Sequence, residues 1–243
     1  MRITWLLAAF LLAARLSPGQ TIGNTFEYGK EITWGVTKAT NSGLIGGFLA
    51  RMSIRRTDQD LHYFGFEMVN VKHPKEERYY SFTGNTYIYG KTNYLYNIRA
   101  YYGRDWTLFR KATQQGVQVD GILAGGPTIG VVAPYYIEYL VNDEVIKIHP
   151  DLNYKYLNSD INRDYILGTG NLFQGIGQSG IAPGLNAKAA LSFEFGSVKY
   201  SVIGIETGFM LEIFAQKIPI VPTAEQFNIF PNAFISLYYG TRK

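Results

Sequence analysis

The sequence has no cysteine, only three histidines and few charges, and each shortage removes a class of protein. Without Cys there is no disulfide scaffold, thiolate metal site, Cys nucleophile or lipidated Cys of a bacterial lipoprotein. Three His supply zinc chemistry poorly, so no metal and no cofactor is expected. Charged residues make up 17% of the 243, below the roughly 25% of ordinary soluble chains. That is thin cover for a water-facing surface. The net charge of +4 is modest, and no Lys/Arg cluster is dense enough to track a phosphate backbone, so nucleic acid is not an expected partner.

A long apolar helical run is also missing. At the N-terminus Arg2 supplies a positive charge, Trp5 to Leu12 a short apolar core, and Ser17-Pro18-Gly19 the small residues a signal peptidase reads. Residues 1–19 are expected to be a signal peptide, with cleavage leaving Gln20 first. Its apolar core is shorter than the roughly 20 residues a membrane helix needs. The best later window, Gly121 to Val141, is broken by Gly125-Gly126-Pro127, Pro134 and Glu138.

What is present is aromatic and small: 19 Tyr, 15 Phe and 26 Gly. For an exported chain with no helical span, the remaining membrane-crossing structure is a closed barrel, with strands of about ten residues alternating apolar and polar. That alternation is legible. Ala187, Ala189, Leu191, Phe193 and Phe195 interleave with Lys188, Ala190, Ser192 and Glu194. Ile203, Ile205, Thr207, Phe209, Leu211 and Ile213 interleave with Gly204, Glu206, Gly208, Met210 and Glu212, and Gly196-Ser197 between the two segments suits a hairpin. Near the start, Phe26, Tyr28, Ile32, Trp34 and Val36 alternate with Glu27, Gly29, Glu31, Thr33 and Gly35, while Lys30 and Lys38 interrupt the apolar face only near its ends.

Weaker alternation marks Leu44 to Arg55, Leu61 to Val71, Thr86 to Tyr102, Val117 to Tyr139 and Ala233 to Tyr239. The fold class expected is all-β: an antiparallel transmembrane β-barrel of about eight strands over residues 20–243, located in the cell outer membrane of a Gram-negative bacterium. Short inner turns are expected at Arg56 to Asp60, Gly103 to Gly116 and Gly196-Ser197. Outer connections are expected at Thr40 to Gly43, His73 to Gly84, Asn142 to Gly184 and Gln216 to Asn232. The long 142–184 connection is expected to be structured. The competing architecture is a soluble β-sandwich. Against it stand Phe26, Tyr28, Trp34, Tyr94, Tyr96, Tyr102 and Tyr239, placed as an interfacial girdle would be.

The stretches Tyr87-Ile88-Tyr89-Gly90-Lys91-Thr92-Asn93 and Asn97-Ile98-Arg99-Ala100-Tyr101-Tyr102-Gly103-Arg104 are followed by Gly116-Val117-Gln118-Val119, Gly125-Gly126-Pro127 and Pro134-Tyr135-Tyr136. Later come Pro183-Gly184-Leu185, Phe193-Glu194-Phe195-Gly196, Ile205-Glu206-Thr207-Gly208 and Tyr239-Gly240-Thr241-Arg242. From about Thr86 onward the chain resembles a largely uncharacterised family of outer-membrane barrel proteins of Bacteroidota. The resemblance implies a barrel in the outer membrane, with an accessory part in an envelope assembly or export machine as a lead. The ending departs from the general pattern, since many barrels stop on an aromatic residue and this sequence stops at Lys243.

The less apolar faces carry Glu31, Arg51, Glu67, Arg99, Asp120, Lys188, Glu194, Glu206 and Glu212. An eight-stranded barrel is only wide enough to be filled by side chains, so these are expected to form an internal ion-pair network; a narrow conduit is the functional alternative. A lipid-modifying enzyme would need a base among His62, His73 and His149; His62 lies on an apolar strand face, His73 and His149 fall in expected loops, and His149-Pro150-Asp151 places a carboxylate nearby but no adjacent Ser. Asp160 to Asp164 begins like a calcium loop, but Tyr165 stands where Gly is needed and Asn171 where Glu is needed. Gly168-Thr169-Gly170 and Gly175-Ile176-Gly177 lack the strand-then-helix setting of a nucleotide site. Tyr154, Tyr156, Tyr165, Leu172 and Phe173 make the long loop more apolar than a tether requires, so it either plugs the barrel or binds a partner protein. The expected partners are outer-membrane lipid and another envelope protein, with the chain a non-enzymatic scaffold or accessory subunit.

Overall fold

The computed structural model describes residues 29–57, 59–110, 116–149, 162–171, 174–195, 200–222 and 224–243. The expected signal segment, 1–19, lies outside the described residues, as do Phe26 and Tyr28. The strands are β1 (Lys30–Ala39), β2 (Ser42–Arg55), β3 (Asp60–Val71), β4 (Arg78–Tyr80), β5 (Thr86–Ile88), β6 (Asn93–Phe109) and β7 (Gln118–Pro134). They continue with β8 (Ile137–Val141), β9 (Glu144–Ile148), β10 (Ile166–Thr169), β11 (Gly180–Phe195), β12 (Ser201–Ile218) and β13 (Phe227–Arg242).

Eight of these, in the order β1-β2-β3-β6-β7-β11-β12-β13, form a closed barrel with every pairing antiparallel. The closing seam sets Trp34 opposite Tyr239 and Glu31 opposite Arg242. Lys243 O adds to it by accepting from the Gly29 and Lys30 amides at 2.8 and 2.9 Å. Closure leaves no strand edge unpaired, the condition for β-structure in hydrocarbon.

The alternation resolves the choice between sandwich and barrel. Ile32, Trp34 and Val36 of β1, Phe64, Phe66 and Met68 of β3, and Ile203, Phe209, Leu211 and Ile213 of β12 are all exposed. Their neighbours Glu31, Thr33, Tyr63, Glu67, Glu206 and Glu212 are buried. A sandwich buries its apolar face; this sheet buries its charges and presents a greasy belt outward, which only lipid makes favourable. Of the expected girdle, Trp34, Tyr102 and Tyr239 point outward, and Trp34 meets Tyr239 edge to face at 5.9 Å. Tyr94 is a correction: it packs 5.2 Å from Tyr135 above the barrel, because it sits at the outer end of β6.

Two expected strands divide. Thr86 to Tyr102 is interrupted by a turn at Gly90, whose φ of 73° favours glycine, so β5 pairs with β4 in a separate hairpin and the barrel strand begins at Asn93. Val117 to Tyr139 divides after Pro134, and β8 joins β9 and β10 in a second sheet. The Gly125-Gly126-Pro127 run does not break β7. The ladder to β6 omits Gly126 and Pro127 and resumes in the same register, as a residue without an N–H requires. Asn186 Nδ2 takes up the slack, donating to the Pro127 and Ala100 carbonyls at 3.0 and 3.3 Å.

The connections also shift. The β6–β7 turn spans 110–117, far shorter than the expected Gly103 to Gly116, because Arg104, Asp105 and Trp106 continue the strand. The longest connection runs 135–179, not 142–184, and it contains structure of its own. The 72–92, 135–179 and 219–226 connections gather at one end of the barrel, together with the two-residue β1–β2 turn at Thr40 and Asn41, while the other end carries only short connections and is therefore the inner one. The 16 to 18 residues of β11, β12 and β13 exceed the 9–11 that cross a bilayer, so the strands extend beyond it.

Candidate functional site: a filled lumen beneath an outer cap

Inward-facing charges from opposite walls meet in one alternating chain. Arg99 clasps Glu212 through Nε and Nη2 at 2.8 and 2.6 Å and reaches Glu67 at 3.2 Å. Lys188 Nζ lies 2.9 Å from Glu67 and 2.6 Å from Glu206. Arg51 continues from Glu206 at 2.8 Å to Glu31 at 3.4 Å, and Arg242 joins Glu31 at 2.8 Å to Glu194. The order is Glu212–Arg99–Glu67–Lys188–Glu206–Arg51–Glu31–Arg242–Glu194, with each cation between two carboxylates. Every member is buried. Such pairs are favourable only when desolvation is offset by good geometry and further hydrogen bonds. Both are present: Asn97 Nδ2 donates to Glu212 at 2.8 Å, Tyr101 OH to Glu67 at 2.8 Å, and Arg51 Nε to Thr33 at 2.6 Å. Arg51 also lies 3.8 Å over the Tyr238 ring and Lys188 5.0 Å over Tyr101.

Of the residues expected in an internal network, Glu31, Arg51, Glu67, Arg99, Lys188, Glu194, Glu206 and Glu212 are brought together. Asp120 is not: it points inward but accepts from Gln118 Nε2 at 2.9 and 3.1 Å, apart from the chain. Arg242 joins the chain as well, although the alternation legible in the sequence ends at Tyr239. Extending the alternation Ser236, Tyr238, Gly240 by one step puts Arg242 on the inner face, where it is buried.

Above this chain the lumen is closed a second time. Inward-facing Val69, Val71, Leu95, Phe214 and Phe230 surround Ile220 and Val221, which fold in from the β12–β13 connection. Thr92 N donates to Ile220 O at 3.0 Å and Asn93 Nδ2 to Pro219 O at 2.7 Å, holding the insertion in place. Among the described residues the plug comes from the 219–222 segment. Sequence signalled it weakly, as an apolar Ile218 to Val221 run with Pro219 inside it and Pro222 after it.

The long loop builds a cap. The β8–β9–β10 sheet and the β4–β5 hairpin enclose Tyr87, Tyr135, Ile137, Tyr139, Ile148 and Ile166. Ser81 Oγ and Thr83 Oγ1 donate to Leu167 O at 2.8 and 2.9 Å, and Tyr135 OH accepts from Ile88 N at 2.9 Å. Tyr80, Phe82 and Tyr165 stand exposed on it, and Arg163 stacks over Tyr89 at 4.0 Å and Tyr79 at 5.4 Å. Of the loop residues expected to bind a partner, Tyr165 is therefore on the cap surface; Tyr154, Tyr156, Leu172 and Phe173 lie outside the described residues. So do Asp160 and Ile161 of the calcium-like run.

The histidines have structural bonds. His62 stacks on Tyr102 and shares a 3.0 Å hydrogen bond with its hydroxyl on the outward face. His73 Nδ1 accepts from Lys75 N at 3.1 Å, so Nε2–H donates to Glu225 O at 3.0 Å. His149 Nε2 donates to Thr92 O at 2.8 Å. Among the described residues no three His, Asp or Glu group around a metal position.

No protein-family model and no curated protein matches the chain. Among solved structures it is similar to Ail, the attachment invasion locus protein of Yersinia pestis, at 10% identity and a TM-score of 0.39, over 89% of this chain and 99% of that one. Neisserial surface protein A is similar at 11% identity and a TM-score of 0.36, over 91% and 100%. The N-terminal β-barrel domain of Pseudomonas aeruginosa OprF is similar at 10% identity and a TM-score of 0.35, over 88% and 96%. It is the chain's own closed eight-stranded ladder and apolar belt that make it an outer-membrane barrel.

Proposed function

We propose that the protein is a non-conducting, non-enzymatic anchor that displays its outer cap to another envelope protein, as a scaffold or accessory subunit of an assembly or export complex. One observation supports this above the rest: the lumen is filled twice, by the alternating charge chain and by the Ile220–Val221 plug, beneath a cap with its own core. A conduit needs a continuous polar path, and filled barrels of this size lack the room. The cap's exposed surface combines Tyr80, Phe82, Tyr89 and Tyr165 with Arg163, the residue types that dominate binding hot spots. The partner docks on this face in our reading.

Mild detergent extraction followed by affinity purification tests it. The barrel is expected to carry a second envelope protein, and a Tyr80→Ala/Phe82→Ala/Tyr165→Ala variant is expected to lose it while keeping the heat-shifted gel band of a folded barrel. Recovery of the unaltered protein only as a monomer, or discrete conductance in planar bilayers, refutes the proposal.

A further inference from the structure

At one place on the outer rim the barrel wall is cut low. The β1–β2 hairpin turns at Thr40 and Asn41, while β13 on one side begins several residues further out, at Phe227. Thr40 N donates to Ala233 O at 2.9 Å, so Pro231 stands beyond the hairpin tip. On the other side Lys72 N donates to Asn41 O at 2.7 Å, and the chain from His73 to Arg78 rises above the tip. The notch between them is a cleft of about 580 Å³ whose lining includes Thr40, Asn41, Lys72, Glu76, Arg78 and Pro231. Pro231 lies on the outward face of β13 with Ile229 and Ile235, so the cleft opens toward the bilayer side of the wall, not into the lumen.

The groups lining it have unmet bonding capacity. The Glu76 side chain is 4% exposed and bonds Lys91 Nζ through Oε1 at 2.8 Å. Its Oε2 is buried with no hydrogen-bond partner among the described residues, and the same holds for both Oδ1 and Nδ2 of Asn41. Buried polar atoms in native proteins are normally partnered, so three in one cleft call for a ligand or for water. The charge is specific too. Lys91 compensates Glu76, and His73 is neutral in its bonded tautomer. Lys72 and Arg78 then remain without a carboxylate among the described residues. Burial is the main cause that lowers the pKa of Lys91, Glu76 opposes it, and Lys72 and Arg78 are near enough to lower it slightly further.

We propose that this notch binds the phosphorylated sugar headgroup of a glycolipid or a free phosphorylated saccharide of the same chemistry. Lys72 and Arg78 match a phosphate, Arg through its forked donors. The free Glu76 oxygen matches a sugar hydroxyl that donates, and the Asn41 amide matches a hydroxyl that both donates and accepts. Pro74, Ile88 and Pro231 supply apolar surface for a ring face. Its position at the outer rim, with Pro231 on the outward face of the wall, leaves the cleft accessible from the side of the barrel that lipid surrounds.

The folded full chain, extracted in mild detergent, is titrated with three probes: bis-phosphorylated lipid A, the same lipid after enzymatic removal of its phosphates, and glucosamine 1,6-bisphosphate. Lipid A is expected to bind, and dephosphorylation to weaken it at least tenfold. Lys72→Ala/Arg78→Ala is expected to weaken lipid A at least tenfold, while Lys75→Ala, which does not line the cleft, leaves it unchanged. Binding of lipid A but not of the free sugar phosphate assigns the site to membrane lipid; comparable binding of both assigns it to free saccharide, and either upholds the chemistry. No binding by either, equal binding after dephosphorylation, or undiminished binding by the folded double variant overturns it. Should the double variant not fold, the phosphorylated against dephosphorylated comparison on the unaltered protein decides.

Discussion

Replacing Arg99 by Met keeps most of the side-chain volume and removes the charge, which makes it the sharpest probe of the lumen. Arg99 is 2% exposed and donates to Glu212 at 2.8 and 2.6 Å and to Glu67 at 3.2 Å. After Arg99→Met, Glu67 keeps Lys188 at 2.9 Å and Tyr101 at 2.8 Å, but Glu212 keeps only the neutral Asn97 amide. The loss is therefore concentrated on one fully buried carboxylate. Removing one partner of a buried pair costs about 3–5 kcal/mol, because the survivor stays desolvated and unpaired. The cost should fall sharply when Glu212→Gln is added, since the stranded charge is gone, with about 1–3 kcal/mol of coupling between the sites. Reversible urea unfolding from lipid vesicles, followed by tryptophan fluorescence and gel mobility, measures both quantities. A single variant costing under about 1 kcal/mol, or a double variant showing simple additivity, would refute the claim that these charges act as a chain.

Two further perturbations test the belt and the seam. Phe209 is 73% exposed in the middle of β12; Phe209→Lys should cost about 2–4 kcal/mol in the same vesicle assay if it lies near the bilayer midplane, whereas Lys at the cap residue Tyr80 should change stability by less than about 0.5 kcal/mol. At Gly240 a Cβ would lie 2.1 Å from the backbone oxygen of Ile32 across the closing seam. Gly240→Val should abolish the compact unheated gel band, while Gly180→Ala, which meets nothing within 4 Å, should leave it intact; a normal band from Gly240→Val removes the seam argument.

The barrel was legible because its signal has a period of two and repeats over strands of 10 to 18 residues. The faces of Ala187 to Phe195 and Ile203 to Ile213 read correctly because Lys188, Ala190, Ser192 and Glu194, and Glu206, Gly208, Met210 and Glu212, fall on the inward face at every other position between outward, mostly apolar residues. The sequence misleads where a strand carries adjacent polar residues that resemble a loop. Arg104 and Asp105 looked like the start of a turn, yet Asp105 is an inward strand residue accepting from Ser53 at 3.4 Å. The sequence misleads again above the membrane, where β4, β5 and β10 are three or four residues long and too short to show a period. There the elements are fixed by side-chain bonds such as Thr169 Oγ1 to Thr86 O at 2.9 Å, joining residues far apart in sequence.

The pairing of the lumen charges was illegible for a different reason, and the same reason explains why the lumen is full. Alternation says which residues face inward but not which of them meet, because the charge chain is continuous only through partners on strands that are not neighbours, such as Arg51–Glu206, Lys188–Glu67 and Arg99–Glu212. Arg51 on β2 reaches Glu206 on β12 across 155 positions of sequence, and Arg99 on β6 reaches Glu212 on β12 across 113. Those bonds exist only because closing eight strands brings opposite walls within the combined reach of two side chains. Each cation can then touch two carboxylates from different strands, as Lys188 does with Glu67 and Glu206. A wider barrel would leave these charges facing water as the lining of a channel. At this diameter they meet, cross-link the walls and leave the outer cap as the part of the molecule free to make new contacts.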